Sequence, residues 1–115
     1  MEIDLREKQN ITILDIEGEI RRSESSDSTL HQVVKDQLEK NKKYFLLNLD
    51  KVEFIDSFGV GEILASYIST QNVGGSLKLT NISKKLFLVF QVTMLSKVFE
   101  IFNDEQKALE SFSKE

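Results

Sequence analysis

Asp56 and Ser57 stand directly after the apolar pair Phe54-Ile55 and directly before Phe58-Gly59-Val60-Gly61. The order reads as a buried strand handing over to a helix, which is where open α/β sheets place their working residues. A hydroxyl at such a junction lies beside free backbone N–H groups and the positive end of the helix dipole. Two tasks suit it. Asp56 and Ser57 are both good helix N-cap types, so Ser57 can serve as a cap. It can also accept a phosphoryl group, gaining about -1.5 to -2 charges and three strong acceptor oxygens. The helix end tolerates that charge, so its effect would fall on a partner docked over the same surface. An unpaired dianion in a closed interface costs roughly 2–5 kcal/mol, enough to weaken binding about a hundredfold.

Other chemistry is thinly supplied. His31 is the sole histidine and there is no cysteine, so conventional triads, thiol catalysis and the common zinc sets cannot be assembled. Gly59-Val60-Gly61 lacks the later glycine of a dinucleotide loop and the lysine of a P-loop. Asp50 and Glu53 are an ordinary carboxylate pair for the end of a strand. No enzymatic activity, metal or cofactor is expected. A net charge of -4 gives no broad attraction to nucleic acid or to an anionic membrane. The apolar stretch from Leu86 to Leu95 is too short to span a bilayer, and residues 1–6 do not resemble a signal peptide. These features predict a cytoplasmic protein that binds neither nucleic acid nor membrane.

The elements that must position Ser57 follow from periodicity. The chain has 115 residues, 40% hydrophobic and 30% charged, with no proline and no Ser/Gly-rich linker, so one domain over 1–115 is expected. Ile3 and Leu5 alternate in a first strand, and the β-branched run Ile11 to Ile16 forms a second, antiparallel to it. Arg21 to Asp27 reads as a loop whose serines can cap the first helix, marked by Leu30, Val33, Val34 and Leu38. Tyr44 to Leu49 is a strand buried on both faces. Val60, Ile63, Leu64, Tyr67 and Ile68 stripe the second helix, ended by Gly74-Gly75. Leu77 and Leu79 mark another strand, and Ser83 caps a third helix running to Met94. Phe87 and Leu88 lie off its main stripe and are read as further core. Val98 to Phe102 is the last strand, and Asp104 caps a terminal helix. The order β-β-α-β-α-β-α-β-α predicts an α/β fold with a mainly parallel mixed sheet of about five strands and about four helices.

At these residues the sequence resembles the STAS domain, and within it the small anti-sigma-factor antagonists of bacteria. Gly18-Glu19-Ile20 is similar to the family's early element. Leu47-Asn48-Leu49, Val52 and Phe54-Ile55-Asp56-Ser57-x-Gly59-Val60-Gly61 resemble its central signature. Gly74-Gly75-x-Leu77-x-Leu79 and Leu95-x-x-Val98-Phe99 match later stretches in order and spacing. The resemblance implies a non-catalytic protein that binds an anti-sigma factor which is also a serine kinase. It implies that the kinase ends the interaction by phosphorylating Ser57, and that a metal-dependent phosphatase of the PP2C type resets it. The partner-facing set is then Arg21, Asp56, Ser57, Phe58, Gly59 and Glu62, with Asp56 orienting the loop and Gly59 allowing close backbone approach. Four positions depart from the family pattern. Arg21 stands where an acidic residue is frequent, Phe58 where a small residue follows the phosphoacceptor, Met94 where glycine ends the third helix, and Asn48 where aspartate is common. Two other readings compete: a STAS scaffold subunit of a larger signalling or transport complex, with Ser57 only a cap, and a small-ligand module using the same helix end as an anion site.

Overall fold

Strands β1 (Glu2–Lys8) and β2 (Ile11–Ile20) pair antiparallel through a two-residue turn. Gln9 and Asn10 in that turn have φ of 53° and 67°, the left-handed geometry that matches the twist of a tight hairpin. The computed structural model describes residues 1–22 and 29–113. Helix α1 (Leu30–Glu39), strand β3 (Tyr44–Ile55), helix α2 (Ser57–Asn72), strand β4 (Ser76–Thr80), helix α3 (Lys84–Val92), strand β5 (Ile101–Phe102) and helix α4 (Glu105–Phe112) follow. The sheet order is β1-β2-β3-β4-β5, with every pair after the first parallel. The expected α/β architecture is thus present, with β1 and β5 at its edges.

The sheet separates two clusters. Leu14, Ile16, Phe45, Leu47, Leu77 and Leu79 join Leu30 and Val34 of α1, Ile63 of α2, and Leu86 and Phe90 of α3 in the main core. Ile11, Ile13 and Leu46 meet Ala108, Leu109 and Phe112 of α4 in the second. Period-two alternation of β2 and β3 supplies both faces at once, so these strands read as nearly continuous apolar runs.

Several boundaries differ from expectation. Strand β3 continues to Ile55 instead of stopping near Leu49, because it stays paired with β2 across two register shifts, at Asp15/Glu17 and Gly18/Glu19. Each shift gives β3 one extra residue, and Gly18 takes φ +101° there, a bulge that glycine accommodates without cost to a side chain. The cap of α1 is Thr29, whose side chain accepts from Gln32 N; Ser23, Ser25 and Ser26 lie outside the described residues. The buried face of α2 is Gly59, Ile63, Ser66 and Thr70, while Ile68 is exposed. Hydropathy hid that face because two of its members are hydroxyls. Both are satisfied within the helix, donating to Glu62 O and Ser66 O at 2.8 Å. Strand β5 keeps only Ile101 and Phe102. Phe99 is buried all the same, edge-on to Tyr67 at 5.1 Å and beside Phe90 at 5.8 Å. Leu88 is 57% exposed and Val92 83%, which corrects the reading of Leu88 as core.

Met94 follows α3 with φ 64° and ψ 9°. A left-handed residue with a Cβ is disfavoured by roughly 1–2 kcal/mol, and Met94 is 58% exposed, so its side chain recovers little by burial. Glycine gives back part of the gain through its freer unfolded chain. Met94→Gly is therefore expected to stabilise the domain by about 0.5–1 kcal/mol, read as a higher urea midpoint with an unchanged slope.

A polar network crosses the α4 side of the sheet. Arg6 donates to Asp15 from Nε at 2.5 Å and Nη2 at 2.9 Å, and to Glu105 from Nη2 at 2.6 Å. Asn48 donates to Asp15 Oδ1 at 2.8 Å and accepts from Asn81 Nδ2 at 3.1 Å. The Arg6 hydrogen bonds, the largest cause, hold the Asp15 and Glu105 carboxyls below the usual range despite partial burial. Carboxylates so depressed stabilise the fold above their unfolded pKa and lose that contribution as pH falls through the folded value. Because Arg6 remains about a third exposed, solvent screening limits the pair to about 1 kcal/mol. Arg6→Gln should cost about that much at pH 7 and lose less stability than the wild type on acidification below about pH 5. Urea titrations at both pH values measure the difference.

Candidate functional site

The second register shift brings the carboxyl ends of β2 and β3 level, with Ile20 opposite Ile55. The chain then leaves β3 through Asp56, whose N–H donates to Ile20 O at 3.3 Å. Helix α2 begins at once. Its first turn can lie against the end of β2 only because residue 59 is glycine: a Cβ there would fall 1.9 Å from Ile20 O. Gly59 is buried, as its expected role in close approach requires.

Asp56 is the N-cap. Its Oδ1 accepts from Gly59 N at 2.7 Å and its Oδ2 from Arg22 N at 3.2 Å. One carboxylate thereby fastens the start of α2 to the segment leaving β2. The Gly59 N–H is the principal reason the Asp56 carboxyl titrates below its ordinary range, aided by the N–H groups of Arg22 and Phe58 and the charge of Arg21. Ser57 is consequently the first helical residue and does not cap. Its side chain is exposed, and among the described residues its hydroxyl makes no hydrogen bond.

The remaining expected residues divide. Phe58 is half-buried, with the Arg22 guanidinium carbon 5.3 Å from its ring centroid, a cation–π distance. Arg21 points elsewhere and pairs with Glu19 at 2.9 Å. Glu62, one turn into α2, accepts from His31 N at 3.2 Å and so helps satisfy the amino end of α1. His31 also meets Ser69 Oγ at 2.9 Å through Nε2; it fastens α1 to α2 and lies apart from Ser57. The structure therefore gathers Asp56, Ser57, Phe58 and Gly59, leaves Arg21 at the border, and gives Glu62 a positioning task. Arg22 is the residue that sequence reasoning missed. Successive side chains on an extended segment point to opposite sides, and that alternation sends Arg22, not Arg21, across Phe58.

Among the described residues no group of three His, Cys, Asp or Glu side chains is placed to hold a metal ion, and no helix is long and apolar enough to cross a membrane. A groove between α3 and β5 is lined by Ile82, Phe87, Leu88, Ile101 and Phe102. It holds the two α3 residues that were expected to be core.

The mixed five-stranded sheet with its helices is the architecture of a known domain family. The STAS domain family matches residues 2–108, and the chain belongs to it. Its relatives include the anti-sigma-B factor antagonist of Listeria monocytogenes, 32% identical over 109 residues and covering 91% of this chain and 90% of that protein. The anti-sigma F factor antagonist of Paenibacillus polymyxa is 23% identical over 109 residues, covering 95% and 92%. The Bacillus cell fate determinant SpoIIAA, solved in its phosphorylated form, shares the fold with a TM-score of 0.71 at 20% identity, over 96% of this chain and 98% of that one.

Replacing Gly59 by alanine would drive a Cβ into the Ile20 carbonyl, and a backbone oxygen cannot swing aside as a flexible side chain does. Gly59→Ala should cost about 3 kcal/mol or more, with thermal or urea unfolding as the measurement. A loss under about 1 kcal/mol would mean that the helix start is free to move.

Proposed function

We propose that this chain is an anti-sigma-factor antagonist that docks on a serine-kinase anti-sigma factor through the surface around Ser57. Phosphorylation of Ser57 ends the interaction, and a PP2C-type phosphatase restores it. The observation that carries this reading is the division of labour at the start of α2: Asp56 caps the helix, so the exposed Ser57 hydroxyl has no structural task. The relatives named anti-sigma factor antagonists support the partner class.

In the transfer, Ser57 Oγ bonds to the γ-phosphorus of ATP, the bond from phosphorus to the ADP oxygen breaks, and the hydroxyl proton leaves to a base on the kinase or to water. The product dianion sits at the positive end of α2, where the fold tolerates it. A closed protein interface does not: the roughly 2–5 kcal/mol of an uncompensated buried charge corresponds to a loss of about a hundredfold or more in affinity.

Incubation with the cognate kinase and ATP should add one phosphate, located at Ser57 by peptide mass spectrometry. Ser57→Ala should remain unlabelled, and Ser57→Asp should keep its unfolding midpoint while binding the kinase more weakly. Equal labelling of wild type and Ser57→Ala would refute the assignment.

A second reading, a scaffold or interaction subunit within a larger complex, draws on the exposed Leu88 at the α3–β5 groove. Light scattering after size exclusion separates a free small protein from a standing assembly.

A further inference from the structure

One departure from the family pattern, Phe58, lies in space beside Arg22, the neighbour of another, Arg21. The segment after Gly18-Glu19-Ile20 carries arginine, and the residue after the acceptor serine is aromatic; in the fold, Arg22 of that segment lies over the ring of Phe58. Arg22 is also tied by its own N–H to Asp56. It therefore contacts both residues that flank Ser57, one through its backbone and the other through its side chain. Its guanidinium carbon lies 5.3 Å from the ring centroid of the residue that follows Ser57.

The ring and a phosphate would compete for that guanidinium, and the competition is unequal. An exposed cation–π contact is weak, whereas a phosphate presents oxygens that match the planar fork of arginine with two parallel charge-assisted hydrogen bonds. Three carboxylates near the site among the described residues are already engaged. The Asp56 carboxylate is held by Gly59 and Arg22 N–H groups, Glu19 by Arg21, and Glu62 by the His31 N–H. Asp56 opposes the dianion and Arg21 is paired with Glu19, so among the described residues Arg22 is the cation that lies against the neighbour of Ser57.

Resting on the reading of Ser57 as the phosphoacceptor, we propose that Arg22 is a phosphate clamp. When Ser57 is phosphorylated, the guanidinium leaves the Phe58 ring and grips the phosphate, so that one modification both adds charge and uncovers an aromatic side chain on the partner-facing surface. Arg22 is thus a positioning residue for the modified state, and Phe58 is the group whose exposure it controls.

The test uses the full chain with phosphoserine genetically encoded at position 57, which makes it independent of any kinase. Phosphorus NMR titration should give a second phosphate pKa about half a unit below the usual value of about 6. Arg22→Gln should restore the usual value, Arg22→Lys should keep part of the shift, and Arg21→Gln should leave it in place. Phosphorylation should also move the Phe58 ring resonances further in the wild type than in Arg22→Gln. Equal phosphate pKa values in wild type and Arg22→Gln, or a shift abolished by Arg21→Gln alone, would overturn the clamp. Failure of kinase labelling at Ser57 would instead overturn the phosphoacceptor reading, and the two failures are separate measurements.

Discussion

The placement of α2 depends on one contact, the seat of Gly59 on the carbonyl of Ile20. A helix whose first turn rests on the last carbonyl of a neighbouring strand has its start fixed in position and direction. Asp56 adds the hydrogen bonds that hold it there, reaching both Gly59 and Arg22. Ser57 faces solvent as a consequence of this seating. The residue before it is consumed by capping and the residue two after it by packing, so among the described residues its hydroxyl is left without a hydrogen bond.

The α4 face of the sheet obeys a different constraint. There the apolar cover of α4 gives way to polar groups that must satisfy one another at the margin of water. Asp15 is the hub, accepting from Arg6 and from Asn48. The amide at Asn48 fits this setting better than a carboxylate would, because it donates to Asp15 while accepting from Asn81; a second carboxylate would meet the first without a proton between them. Lys78 shows the same economy. It is buried, yet its ammonium reaches Ser111 Oγ at 2.9 Å and Glu100 Oε2 at 3.0 Å, above the Phe112 ring. Buried charge is tolerated where it is paired.

Element order, the antiparallel first strand and the position of Ser57 could all be read from the sequence, because each rests on local signals: alternation in Ile11 to Ile16, the near-continuous apolar run Tyr44 to Leu49, and cap residues at helix starts. What could not be read depends on contacts distant in sequence. The extension of β3 to Ile55 is dictated by its pairing with β2, and the polar buried face of α2 by hydroxyls that bond within the helix. Phe99 is core because Tyr67 and Phe90 surround it, although its backbone lies outside any strand. Leu88 lines an open groove and stays exposed. Within the site, Arg21 drew notice as an unusual residue, but choosing between Arg21 and Arg22 required the direction in which the segment leaves β2.

The two borders of the sheet bear on how this molecule behaves when crowded. Unpaired backbone groups along a border invite a foreign strand to join, the first step toward aggregation. Here one border, β1, interleaves its apolar residues with the charged Glu2, Asp4, Arg6, Glu7 and Lys8, and the other, β5, is only two residues long. Neither offers a long, flat, greasy template, so both borders are poor starting points for strand addition by a second chain.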